Sequence, residues 1–375
     1  MKILAAVDSF KGSISSSEIN GIIAKELEIK NLEVIQKPLA DGGEGTIDAL
    51  IDSGVAEKKD CMVIGSLGEK IKSYYALMNN GTAVIEIAQI CGLPMIPENK
   101  RNPMHTTTYG VGEAIIHAIN HGADNVVITL GGSATNDLGM GMLQALGVTI
   151  TDESDQPVLL GAAALKDIAH IDFSTCFTAI QNISLYVITD VQNPLFGQNG
   201  ATFIFGPQKG ITPEDAVQIE EQIKRLCTIT PILEKYQDTP GAGAAGGLGA
   251  ACLALEAQIF DGADWFMETL QVKEAIHQAD VVITGEGKLD SQTLSGKAPI
   301  SIANYANNLN KPVIAIAGSI DSSLLTRFYE SGISVCLSVI PGVQTLEQAM
   351  ERSQVQNNIS YISQQIATFL SWPKK

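Results

Sequence analysis

Carboxylates stand at four places where an apolar run gives way to Gly, Ser or Asn: Asp8, the pair Asp41 and Glu44, Asp190, and the pair Glu286 and Asp290. One such acid is ordinarily a helix cap or a solvated turn. Four of them at the ends of strand-like runs fit a shared site better, because open α/β sheets build ligand sites there. Carboxylate oxygens can hold Mg²⁺, which bridges to substrate phosphates, and one carboxylate can accept the proton of an attacking hydroxyl. Lys11, Lys288 and Lys297 are the nearby cations. Each is a surface lysine by default; Lys11, on the turn that ends the first apolar run, is the best placed to face a ligand.

Two glycine-rich segments add candidate phosphate contacts. Gly131-Gly132-Ser133-Ala134-Thr135-Asn136-Asp137 follows directly after an apolar run. Its glycines allow close backbone approach, and Ser133, Thr135 and Asn136 can hydrogen-bond phosphate oxygens; the other reading is a helix N-cap. Gly241, Gly243 and Gly246 fit G-x-G-x-x-G, with Gly247 following, but no convincing strand precedes them. That run is either an anion cradle of backbone amides or the tightly packed start of a small-residue helix. The five histidines (105, 117, 121, 170 and 277) show neither metal spacing nor a Ser/His/Asp set, and read as structural.

The elements that must position these residues alternate between strand and helix. Residues 2–7 and 32–38 read as strands, each followed by a helix, and each strand ends in an acidic or glycine-bearing turn. Residues 61–90 look like two or three antiparallel strands with turns at Gly65, Gly68 and Asn79-Asn80-Gly81. Strands at 125–130 and 183–189 precede the Gly131 and Asp190 loops, with helices at 109–120 and 213–226. From Ala279 clean alternation returns: Val281-Val282-Ile283-Thr284 is a buried strand that breaks at Gly285-Glu286-Gly287, and strands at 312–317 and 335–340 follow. One long helix, from about Thr345 to Leu370, closes the chain. The two ends together supply five parallel strands. The expected architecture is a doubly wound α/β domain over 1–60 and 279–375, interrupted by a second α/β domain at 61–278. In strand order 2-1-3-4-5, the strands ending at Asp8 and Thr284 are adjacent and flank the switch-point crevice.

Composition narrows the function. With 41 acidic against 24 basic residues the net charge is −17, and no Lys/Arg run occurs, which argues against nucleic-acid binding. The six cysteines are scattered without C-x-x-C spacing and read as reduced packing residues of a cytoplasmic protein. No apolar run reaches the roughly 18 residues of a membrane span, and the N-terminus enters a strand rather than a signal sequence. The residues alone therefore describe an enzyme that binds a phosphorylated nucleotide and a small polar substrate in an interdomain cleft, with phosphoryl transfer the best-fitting reaction.

The motifs Asp8-Ser9-Phe10-Lys11-Gly12, Asp41-Gly-Gly-Glu-Gly-Thr46, Gly131 to Asp137, Asp190-Val-Gln-Asn-Pro-Leu195, Gly241 to Gly247 and Thr284-Gly-Glu-Gly-Lys-Leu-Asp-Ser-Gln-Thr293 occur in this order. Together they resemble the bacterial glycerate kinase type I family, from residue 1 to about residue 340. The resemblance implies ATP-dependent phosphorylation of D-glycerate, commonly at the 2-hydroxyl to give 2-phosphoglycerate, and a flavodoxin-like domain with a large inserted mixed α/β domain. Leu138 and Met140 depart from the small residues expected there, Thr189 stands in place of Cys, and Lys288 in place of Arg.

Physical reasoning then distributes the roles. Asp190 is expected to take the hydroxyl proton, and Lys11 to neutralise either a phosphate or the glycerate carboxylate. Asp8, Ser9, Asn193 and Lys288 would bind substrate. Gly131, Gly132, Ser133, Thr135, Gly241, Gly243, Gly246 and Gly247 would cradle the phosphates of ATP, and some of Asp41, Glu44, Glu286 and Asp290 would hold Mg²⁺. Transfer to the 3-hydroxyl, another small hydroxy acid as acceptor, and a non-catalytic anion sensor are the alternatives. The expected partners are glycerate and nucleotide, with neither nucleic acid nor membrane, and a homodimer is compatible with the sequence.

Overall fold

The computed structural model of the protein describes residues 1–40, 42–176 and 178–372. Among them thirteen strands form: β1 Lys2–Val7, β2 Glu33–Gln36, β3 Ala56–Ile64, β4 Lys70–Met78, β5 Thr82–Glu86, β6 Asn125–Thr129, β7 Thr149–Thr151, β8 His170–Asp172, β9 Ser184–Ile188, β10 Gln258–Phe260, β11 Val281–Leu289, β12 Val313–Ile320 and β13 Val335–Ser338. The chain divides into two compact units. The first comprises Met1–Asp41, Asp48–Val55 and Asp261–Lys375, the second Gly42–Ile47 and Ala56–Phe260. Residues 261–278, two short helices and their links, thus group with the first unit, and Ala56 to Asp60 with the second.

The first unit is built on a five-stranded sheet in the order β13-β12-β11-β1-β2, every neighbouring pair parallel. By position within the unit this is the expected order 2-1-3-4-5, with Ala6 opposite Thr284 and Val7 opposite Gly285. β1 is buried along nearly its whole length, as a strand covered on both faces must be. The helix Ser16–Glu28 sets Ile19, Ile23 and Leu27 on the sheet at helical spacing, and the closing helix adds Ile359, Ile362 and Ile366 to the same core. The Ser15 hydroxyl accepts from the Glu18 amide and fixes the first of these helices at its start.

Two expectations about this unit are corrected. The glycines at 285 and 287 do not break a strand: β11 continues to Leu289 because β12 runs beside it, with Glu286 opposite Ala317 and Lys288 opposite Ser319. A Cβ at Gly285 would collide with the Ile316 carbonyl, so the glycine marks a close strand approach rather than a loop. Nor is the closing helix continuous. It is a short helix, Leu346–Met350, and a long one, Arg352–Leu370, separated at Glu351. The Glu351 carboxylate accepts from the Ser353 and Gln354 amides at 3.2 and 3.0 Å and begins the long helix anew.

The second unit carries a six-stranded sheet, β10-β9-β6-β5-β4-β3. β3, β4 and β5 are antiparallel, as residues 61–90 led one to expect, whereas β5, β6, β9 and β10 run parallel. Their carboxyl ends therefore share one edge. β10 and the small β7–β8 pair had no counterpart in the sequence reading; each strand is three residues long, too short to show a period of two.

Candidate active site

In the first unit a cavity of about 420 Å³ opens beyond the ends of β1 and β11. Asp8 follows β1 directly and is buried; its amide donates to the Gly285 carbonyl at 2.9 Å, and its carboxylate accepts from the Ser9 amide at 2.6 Å. The chain then turns at Gly12, whose positive φ of 74° a side chain would resist, so that Lys11 lines the cavity. From β11 come Glu286 and Lys288, from the residue just after it Asp290, and from the start of the next helix Lys297. Lys297 Nζ lies 3.4 Å from Glu286 Oε2, and Lys288 Nζ 3.2 Å from Asp290 Oδ2. Burial opposes the charge on Asp290, yet the Gln292 amide and the Lys288 ammonium outweigh it and hold its pKa below the ordinary carboxylate value. The expected residues Asp8, Ser9, Lys11, Glu286, Lys288 and Asp290 are thus brought together around one cavity.

In the second unit the expected residues gather at the shared strand edge. Glu86 ends β5 with its side chain fully buried. Its carboxylate accepts from the Gly45 and Ile47 amides, both at 3.1 Å, and so holds the loop that carries Gly42, Gly43 and the exposed Glu44. A Cβ on Gly42 would stand 2.5 Å from Ile188 Cγ2 at the end of β9, and one on Gly131 would stand 2.6 Å from Gly43 Cα. A side chain at 42 would run into Ile188, and one at 131 into the backbone of Gly43, so glycine is required at both positions. Asp190 lies two residues past Ile188 and is exposed; Asn193 donates to the Asn199 carbonyl at 2.7 Å. Asp41 lies outside the described residues.

Behind the exposed Gly132 the loop is a buried polar knot rather than an open row of donors. Ser133, Thr135, Asn136 and Asp137 are all buried. Asp137 accepts from the Thr108 amide and hydroxyl at 2.8 and 2.9 Å and from the Gly139 amide at 3.2 Å. Desolvation raises its pKa against the pull of these donors. Lys209, itself buried, donates to Ser133 Oγ at 2.9 Å and to the Thr135 carbonyl at 2.7 Å. Burial brings the Lys209 pKa down to about 8, against the attraction of Cys91 and Asp137. The Gly241–Gly247 run is buried throughout and packs on this knot, with the Leu138 amide donating to the Gly246 carbonyl at 3.1 Å. The amides of Ala242, Gly243 and Ala244 are engaged by the carbonyls of Thr239, Asn193 and Gly241.

Lys209 and Glu86 were not singled out from sequence. Sequence carries no clear signal for either: Lys209 stands in an ordinary Gly-Pro-Gln-Lys-Gly turn, and Glu86 interrupts an apolar run that Ile87 and Ala88 continue. Among the described residues no three His, Cys, Asp or Glu side chains gather as a metal-binding group. His117 faces the Tyr75 hydroxyl at 3.2 Å and stacks on His121, consistent with a structural role.

Parallel sheets with charged residues and glycines at their carboxyl ends place the chain among α/β proteins that bind small ligands there. The profile of the glycerate kinase family matches residues 3–371. A glycerate kinase of Bacillus subtilis is 42% identical over 94% of this chain and 94% of its own length. A glycerate 2-kinase of Escherichia coli is 39% identical over 99% of this chain and 98% of its own. A crystal structure from Salmonella typhimurium LT2, designated glycerate kinase 2, superposes with a TM-score of 0.86 at 38% identity, covering 99% of this chain and 98% of that one. The chain belongs to the glycerate kinase family and is an enzyme of it.

Proposed function

We propose that this enzyme transfers the γ-phosphoryl group of ATP to the 2-hydroxyl of D-glycerate, giving ADP and 2-phosphoglycerate. The observation that carries the reading is the cavity beyond β1 and β11, where Lys11, Lys288 and Lys297 meet the carboxylates of Asp8, Glu286 and Asp290. Lysines beside carboxylates suit a phosphate-bearing ligand with its cation. The choice of the 2-hydroxyl rests on the name of the Escherichia coli relative. The first unit is read as flavodoxin-like on its 2-1-3-4-5 order, and the second as the inserted α/β domain. Six free cysteines suit a reducing compartment, the cytoplasm.

In the proposed reaction the glycerate hydroxyl oxygen attacks the γ-phosphorus, the bond to the β,γ-bridging oxygen breaks, and ADP leaves with those electrons. The exposed Asp190 carboxylate takes the hydroxyl proton. Lys11 and Lys288 neutralise phosphate oxygens, and the Gly131–Gly132 turn offers its backbone to the anion, stiffened by Lys209 and the buried Gly241–Gly247 run. Glu286 and Asp290 are the carboxylates that would hold Mg²⁺; two acids suit it, since Mg²⁺ ordinarily keeps several waters and shares itself with substrate phosphates. When bound, it offsets charge on the transferring group. The donors of Glu44 and of Asp41 are kept as further candidates in the same role.

Replacing Asp190 with Asn tests the assignment of the base. Turnover of ATP with D-glycerate should fall about 10²- to 10⁴-fold with the ATP KM little changed. Near wild-type kcat in Asp190→Asn would remove Asp190 from the chemistry.

A further inference from the structure

The cavity of the first unit is lined by two chemically different sets of side chains. Lysines and carboxylates come from the β1 turn, from β11 and from the residues that follow it, while Phe10, Ile340 after β13, and Leu346, Ala349 and Met350 of the short helix supply an apolar wall. We propose that this wall receives the purine base of the nucleotide, so that ATP lies along the first unit with its phosphates on Lys11, Lys288 and Lys297. The inference rests on the ATP-dependent reading above and adds the location of the base.

Three observations support it. Leu346 is 76% exposed and Met350 43% exposed, although both belong to a helix fixed at its two ends. At its start Thr345 and Gln348 form a reciprocal cap, and at its end the Met350 carbonyl accepts from Ser13 Oγ at 3.0 Å. Apolar side chains held rigidly in solvent at the rim of a charged cavity have a hydrophobic surface still to be covered. Second, the break at Glu351 is what lays the short helix beside the Gly12 turn, where Met350 Cε lies 3.5 Å from the position of a Cβ on Gly12. The apolar wall and Lys11 are thus placed by one turn. Third, about 420 Å³ falls within the range of small-ligand pockets, and a lining that combines cations with an apolar wall suits a ligand that combines phosphates with a base. A small acid such as glycerate has no apolar part to cover this wall.

The test uses the full-length protein and the neutral substitution Leu346→Ser, chosen because the exposed position does not contribute to the core. Binding of AMP-PNP with Mg²⁺ and inhibition by Mg-tripolyphosphate, which lacks a base, are measured side by side. The expected result is about fivefold weaker AMP-PNP binding, the scale of one or two lost CH₂ contacts, with tripolyphosphate inhibition and the D-glycerate KM unchanged. Unchanged AMP-PNP affinity, or an equal loss for AMP-PNP and tripolyphosphate, overturns the location of the base while leaving the kinase reading intact. Wild-type protein that neither binds AMP-PNP nor releases ADP from ATP with glycerate removes the ATP-dependent reading, and this inference with it.

Discussion

Lys209 shows what a single residue type conceals. Its flexible, hydrated side chain is most often on a surface, and sequence offers no way to see that this one is buried on Ser133 and Thr135. The acids at strand ends were legible because a carboxylate after an apolar β-branched run is uncommon; a lysine after Gly-Pro-Gln is not. Its burial has a measurable consequence. The folded pKa of about 8 lies below the ordinary lysine value of 10.5, so both states are protonated well below pH 8. Between about 8 and 10.5 the unfolded chain binds more protons at this group, and its contribution to stability rises with pH. Buried cysteines such as Cys252, with a pKa pushed up to about 12, act in the opposite sense, because the folded state keeps their protons longer. Comparing urea unfolding of wild type and Lys209→Met at pH 7.5 and 9.5 isolates the lysine. Wild type should gain stability relative to the variant as the pH rises, and a difference that stays constant would show that Lys209 is not titrating in this window.

At the scale of elements, the parallel sheet of the first unit was readable because its strands are short apolar runs separated by helices, and buried parallel strands need that composition. What was misread has local causes. Gly285 and Gly287 look like a loop from composition, but their function is to let β12 come close, a fact that resides in the neighbour and not in the run itself. The break at Glu351 was invisible because Glu is not among the favoured N-caps, and only the captured Ser353 and Gln354 amides reveal it. Sequence leaves the Gly241–Gly247 run open between cradle and packing, and in the structure it is buried with several of its amides engaged. Ala245, Gly246 and Gly247 all have positive φ, a left-handed turn inside the small-residue helix. A Cβ at Gly246 would lie against the Thr135 carbonyl and 2.5 Å from Asn136 Cα. Gly246→Ala should therefore lose on the order of 3 kcal/mol in chemical denaturation and loosen the 131–137 loop. A variant as stable as wild type would show that the contact between these two loops is not tight.

Across the whole molecule, two units each place acids and glycines at the carboxyl ends of parallel strands, and the motifs that do so are distributed along nearly the full chain. That distribution is why family membership was legible from sequence as a set of ordered motifs, and why assigning each acid its task was not: Asp8, Glu286 and Asp290 share one cavity, whereas Glu86 and Asp137 fix loops. A catalytic carboxylate and a structural one look alike until their donors are seen. The account stands on one reaction, and the product shows it directly. Phosphorus and carbon NMR of the protein incubated with ATP, Mg²⁺ and D-glycerate should reveal ADP and 2-phosphoglycerate accumulating in equal amounts. ADP release no faster than without glycerate, or phosphate appearing on the 3-hydroxyl, would contradict it.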